Sequence, residues 1–237
     1  MLKRRTEIKS QGHVEMIISF TLFLGFLVAL LFILSPAKNV QSPSAILDAS
    51  EAKIMGNISA DYKTISLILG SGTDPGVCFV TQNKPNLTGS IIVKSLDDTT
   101  LSAFSDSSWV SIIPSYGNRF HNLYFSSEFD VNSVVSCGNI LLETNYSFGA
   151  MEDGKIVLYK KLLSFIEEYN ENYESLRNRM SLRNDFVIFV YDTNKNLLFN
   201  ASRYVPAGSQ VASKSINIQA IDFNKNITNI VINIRVW

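Results

Sequence analysis

The stretch KIVLYKKLLSFIEEYNENYESLRNRM, residues 155–180, is followed closely by FVIFVYD, residues 186–192. In the first, Leu158, Leu162, Phe165, Tyr169, Tyr173, Leu176 and Met180 recur at spacings of three and four, which places them on one face of a helix. Lys160, Lys161, Glu167, Glu168, Glu171, Glu174, Arg177 and Arg179 fill the other face. The second stretch is short, β-branched and aromatic, and reads as a strand. One long helix over residues 155–181 is therefore expected among strands. Its Tyr and Met stripe fits packing on a sheet better than a groove for a partner.

Strands are expected on both sides of that helix. NLLFNA (196–201) follows Thr193-Asn194-Lys195, a hairpin connection to residues 186–192. SINIQAIDF (215–223) alternates cleanly, and ITNIVINIRVW (227–237) alternates through Ile230, Ile232, Ile234 and Val236. A strand reaching the last residue implies a C-terminus held in a sheet, with Trp237 as its packed end. Upstream, TISLIL (64–69), VCFVT (77–81), SIIVKSL (90–96), WVSIIP (109–114) and NLYFSS (122–127) are bounded by turn residues. NSVVSCGNILLET (132–144) is one bent strand or two, with Gly138 at the bend. The order gives an α+β fold: a mostly antiparallel β domain with one long amphipathic helix on the sheet. Neither repeats nor low-complexity tracts stand out.

The other end of the chain differs in kind. Lys3, Arg4, Arg5 and Lys9 against Glu7 give residues 1–10 a net charge of +3 in a 237-residue chain of net charge 0. From Met16 to Leu34 no charge occurs, and Pro36 closes the run. As a helix this run is roughly 28 Å long, about the hydrocarbon thickness of a bilayer. It is longer than a secretory signal core and has no A-x-A cut site after it. A single transmembrane helix is expected, with the basic N-terminus cytoplasmic and the rest of the chain outside the cell. The balanced charge leaves no basic footprint for nucleic acid.

Glu15 stands at the edge of this apolar run, and Lys9-Ser10-Gln11 lies just before it. Together these residues resemble the class III signal peptide of archaeal type IV pilin-like precursors. The resemblance covers residues 3–36. It implies a cut by a prepilin-type peptidase between Ser10 and Gln11, a retained apolar helix, and Glu15 as the fifth mature residue. Ser10 stands where glycine or alanine is more usual. The family's assembly scheme further implies that the new α-amino group of one subunit meets Glu15 of its neighbour in a filament. That pairing is strong where the dielectric is low. Partners would be the membrane, the peptidase, and copies of itself or other pilin-like subunits. The alternative is an uncut membrane anchor carrying an extracellular binding or adhesion domain.

The expected organisation is a basic leader at 1–10, a transmembrane and assembly helix at 11–35, a Ser-, Pro- and Ala-rich stalk at 36–60 with a short helix near 43–56, and an extracellular domain at 61–237. Cys78 and Cys137 are an even pair in the exported part, which favours one disulfide over two buried thiols. Five N-x-[ST] sequons occur, at Asn57, Asn86, Asn145, Asn200 and Asn226, and they are candidate glycosylation sites. Their number is close to chance for so Asn-, Ser- and Thr-rich a chain.

Chemistry is sparse. His121 is the only histidine of the outer domain, so a Ser-His-Asp site would need it, and its strand context reads as a structural or surface histidine. Two cysteines and two histidines make no convincing metal site. SGTDPG (71–76) and LDDTT (96–100) read as turns, not calcium loops. The expectation is a non-enzymatic surface protein without a cofactor.

Overall fold

A computed structural model of the chain describes residues 4–34, 43–70, 76–81, 87–106, 108–114, 118–130, 137, 139–141 and 145–237. It divides into two compact units, Met1–Ser42 and Pro43–Trp237. The first unit holds α1 (Arg4–Leu34). From Val14 to Val28 every apolar side chain of α1 is exposed, on all sides of the helix, with Met16 at 72% and Leu22 at 69%.

The second unit is α+β. It holds α2 (Pro43–Ile58), α3 (Tyr159–Glu171) and α4 (Tyr173–Arg179). Its larger sheet contains nine strands: β1 (Ser59–Leu69), β3 (Ser90–Ser95), β4 (Thr100–Leu101), β7 (Phe120–Ser126), β9 (Tyr146–Leu158), β10 (Phe186–Asp192), β11 (Leu197–Ala201), β12 (Ala212–Ile221) and β13 (Ile227–Val236). Their spatial order is β11-β10-β13-β12-β9-β1-β7-β3-β4. A second sheet, ordered β5-β6-β2-β8, comprises β2 (Phe79–Thr81), β5 (Ala103–Ser105), β6 (Val110–Ile112) and β8 (Asn139–Leu141).

Two cores follow from this layout. The helices cover one face of β10, β12 and β13, burying Leu47, Ile54 and Ile58 of α2, Leu162, Phe165 and Tyr169 of α3, and Ile188, Val190, Ile230, Ile232 and Ile234 of the strands. The small sheet covers β1, β3 and β7 through Phe79, Val110 and Ile112 against Leu67, Val93 and Leu123. Cys78 and Cys137 lie at disulfide distance, with Cα atoms 5.3 Å apart. They stand just before β2 and β8, which pair in parallel, so the bridge fixes the start of that pair. Gly138, expected at a bend, lies outside the described residues.

Several expectations are corrected. Among the described residues no helix is long and apolar enough to cross a membrane. The transmembrane helix expected at the N-terminus is therefore withdrawn. The apolar side chains described in α1 run only from Val14 to Leu30, about 25 Å at 1.5 Å per residue, and Glu15 interrupts them. The large sheet is mixed, because β12 pairs with β9 in parallel at Ala220–Val157 and Ile221–Leu158. The single long helix is instead a strand and two helices. Lys155–Leu158 continue β9, since the Ile156-Val157 run suits a pleated strand better than a helix turn. Asn172 (φ −144°, ψ 61°) then breaks the helix, and its side-chain oxygen accepts from Ser175 N at 3.4 Å to start α4. The stripe itself is buried from Leu158 to Met180. The short helix expected near 43–56 is α2, and its apolar side belongs to the core.

One recurrence went unread in the sequence. Asp192-Thr-Asn-Lys-Asn196 and Asp222-Phe-Asn-Lys-Asn226 are the same D-x-N-K-N turn, thirty residues apart. Each Lys sits at positive φ, +66° for Lys195 and +63° for Lys225. In both turns the first Asp carboxylate accepts from the last Asn backbone N–H, at 2.8 Å and 2.7 Å. Both turns stand at the same end of the sheet, because β10 and β12 each run antiparallel to β13.

Candidate functional site

In α1, Lys9, Ser10 and Gln11 lie within the helical backbone, and their side chains fall outside the described residues. Glu15 is described and exposed, one turn before the apolar run becomes continuous. A helix apolar on all sides is stable only when something covers it. The unit it belongs to contains no other described helix or strand.

A cleft of about 410 Å³ in the folded unit is built on β1, β7 and β9. Tyr62 lies opposite Gly154, and a Cβ there would stand 2.6 Å from the Tyr62 ring, so glycine is what lets the ring lie flat. Gly89, at φ +104°, lets the backbone before β3 run against Ser126. Ser126 Oγ donates to Asp61 O at 2.7 Å. Two exposed ion pairs rim the cleft, Lys63–Asp153 at 3.8 Å and Lys155–Asp61 at 3.6 Å. Burial, then the Glu152 charge, pushes the Tyr62 hydroxyl above its usual range. The charged groups that rim it are answered by opposite ones, so among the described residues this cleft lacks an activated acid, base or nucleophile.

His121 sits in β7 opposite Ser95 of β3 and is almost wholly buried. Neither ring nitrogen meets a side-chain hydrogen-bond partner among the described residues, and the Asn118 backbone is the polar group beside the ring. Ser95 Oγ instead donates to Asp97 Oδ1 and meets Thr99 Oγ1 at 2.6 Å. The Ser95 bond first, and then a 3.0 Å bond that Thr99 Oγ1 donates to Asp97, hold the Asp97 carboxyl below its usual range. Burial lowers the imidazole pKa, with the Asn118 backbone and the Asp97 charge opposing it. A serine, a histidine and an aspartate are thus neighbours without the serine–histidine bond that activates a nucleophile. The sequence leaves His121 as a structural or a surface histidine, and its burial fits the first.

A third cluster joins α3, α4 and β10. Tyr169 donates its hydroxyl to Phe186 O at 2.6 Å. Tyr173 donates to Asp185 Oδ1 at 2.9 Å and accepts from Phe186 N at 3.1 Å. Arg177 pairs with Asp185 at 2.8 Å, and Arg203 lies 4.1 Å above the Tyr173 ring. Burial pushes the Tyr173 hydroxyl up to about 12 and the Tyr169 hydroxyl well above its usual range. Both hydroxyls and the Asp185 carboxylate are matched, and only Arg177 Nε is buried without a partner among the described residues. Such matching marks a structural lock on the helix pair.

The sequons differ in how free their amides are. Asn57 Nδ2 donates to Lys53 O at 2.8 Å while its oxygen accepts from Arg179, and Asn226 Nδ2 donates to Asp222 Oδ2 at 3.1 Å. Asn145 is half-buried, and its backbone oxygen accepts from Gly70 N at 2.7 Å. Asn200 is exposed on the outer strand β11, its Nδ2 3.3 Å from the Ser202 hydroxyl of its own sequon. Asn86 lies outside the described residues. Among the described residues no three His, Cys, Asp or Glu side chains converge as metal ligands.

No family model, no curated protein and no solved structure matches this chain.

Proposed function

We propose that this chain is a pilin-like surface subunit, cut between Ser10 and Gln11 by a prepilin-type peptidase and assembled through α1 with copies of itself or related subunits. Before assembly the chain is held at the cell membrane, with the folded unit outside the cell. The observation that carries this reading is α1 itself. It presents exposed apolar side chains on every side, and Glu15 stands at their start, four residues after Gln11. Packing such helices together covers that surface, and each buried Leu, Phe or Ile contributes roughly 1.5–3 kcal/mol. The carboxylate then needs a cation, and the amine freed at Gln11 supplies one at the right place in the helix. The folded unit offers no assembled catalytic group among its described residues, and this role asks for none.

N-terminal sequencing of the mature protein should begin at Gln11. Glu15→Val should leave membrane association intact and reduce incorporation into filaments at least tenfold, scored by shearing and sedimentation. A mature chain that still begins at Met1, or normal incorporation of the variant, contradicts the reading. The second reading, an uncut surface-tethered binding domain, is the one a Met1 start would favour.

A further inference from the structure

The strands β10, β12 and β13 have a second face, opposite the helices, and its composition is unusual for a face turned to solvent. Side chains alternate across a strand, so burial of Ile188, Val190, Ile230, Ile232 and Ile234 sends their neighbours the other way. On β10 these are Val187, which is buried, and Phe189 and Tyr191, half-buried and stacked with ring centres 6.5 Å apart at 28°. Across the sheet, Phe189 is in register with Asn233 of β13, and Asn233 with Ser215 of β12. Asn233 Nδ2 donates to Ser215 Oγ at 2.9 Å and Ser213 Oγ at 3.2 Å. Arg235 lies over the Phe189 ring at 5.0 Å, and its Nε donates to Asn233 Oδ1 at 2.9 Å. The result is one continuous strip of ring, guanidinium, amide and hydroxyl.

The charge on this strip is one-sided. None of the strand residues on this face of β10, β12 and β13 is an Asp or Glu. The ion pairs of β12 use the helix face, where Lys214 meets Asp48 at 3.0 Å and Glu51 at 2.6 Å. Arg235 has no carboxylate within ion-pair distance among the described residues. Its side chain is nevertheless positioned, by the ring beneath it and the amide beside it. A positioned guanidinium binds a carboxylate in two-pronged fashion. Rings stack on the C–H faces of sugars, and amides and hydroxyls answer sugar hydroxyls.

We infer that this face binds an acidic polysaccharide, a uronate-bearing glycan laid across β10, β13 and β12, with Arg235, seated on the Phe189 ring, on the carboxylate and Tyr191 under a sugar ring. The strip spans three adjacent strands, which suits an extended polymer better than a small molecule. A face kept merely wet needs neither the aromatic pair nor a cation without a counter-charge. This inference is independent of whether α1 assembles.

The test uses the full chain in detergent micelles and affinity gel electrophoresis with polygalacturonate, dextran and single-stranded oligothymidine in separate gels. Retardation by polygalacturonate alone is expected. Arg235→Gln should weaken it about tenfold and Phe189→Ala about fivefold. Arg235→Lys should recover only part, since it keeps the charge without the planar fork. Unchanged urea midpoints in each variant confirm that the loss is local. The inference is overturned by no retardation in polygalacturonate, by equal retardation in dextran or oligothymidine, or by Arg235→Gln binding like the parent.

Discussion

At the scale of single residues, the side chains that look most reactive are the ones the fold has tied down or sealed away. His121 is buried in the core, and its imidazole is held neutral below its ordinary pKa, first by burial. In the unfolded chain it gains a proton near its ordinary value of 6.5. A group with a lowered folded-state pKa contributes stability that is complete above the unfolded pKa and is lost as pH falls below it. Stability should therefore decline from about pH 6.5 downward, by no more than about 1.4 kcal/mol per pH unit for this one proton. Urea midpoints at pH 7.5 and 5.5 measure that decline, and His121→Leu should flatten it. An equal decline in the variant would place the acid sensitivity elsewhere. The strand pattern around His121 argues against a catalytic role but leaves core and surface open. The sequence could not show that Ser95 stands across from it, because that pairing depends on β3 and β7 meeting across the whole β4 to β6 segment of chain between them.

At the scale of elements, periodicity located the strands that alternate and the helix stripe that packs. Residues 186–192 were placed as observed, and the stripe from Leu158 to Met180 is buried throughout. Two things escaped it. β9 carries no buried side chain over Tyr146–Lys155, so it lacks the apolar alternation that marks a strand, and its place is set by pairing with β1 instead. The helix break at Asn172 lies inside an unbroken apolar stripe, so only the capping chemistry of Asn172 and Ser175 reveals it. The parallel pair β2–β8 is another long-range feature, and its partners are far apart in the chain. The Cys78–Cys137 bridge closes a loop of 59 residues, which by loop entropy is worth about 4 kcal/mol. Cys78→Ser with Cys137→Ser should lower the urea-derived stability by roughly that amount, and dithiothreitol should do the same to the parent chain. A change under about 1 kcal/mol would mean that β2 and β8 hold together without the link.

At the scale of the whole molecule, the division into Met1–Ser42 and Pro43–Trp237 separates two kinds of stability. Every residue of the three buried clusters lies at Ile46 or later. The second unit thus owns a complete core between helices and sheet and another between the two sheets, and α2 supplies part of the first. The first unit has its described apolar side chains outward and no core of its own among the described residues. Folding free energy should accordingly reside in the second unit, while the first contributes association. A chain beginning at Pro43 should unfold cooperatively in urea with a stability within about 0.5 kcal/mol of the full chain, because no buried cluster loses a member. It should also stay dispersed without detergent, where the full chain associates through α1. A truncation two turns further in, beginning at Glu51, removes Leu47 from the helix-side core and leaves Lys214 without its Asp48 partner. That chain should be less stable by about 2–4 kcal/mol. If the two truncations were equally stable, α2 would be an ornament on the sheet instead of a wall of its core, and the boundary between association and folding would lie further along the chain.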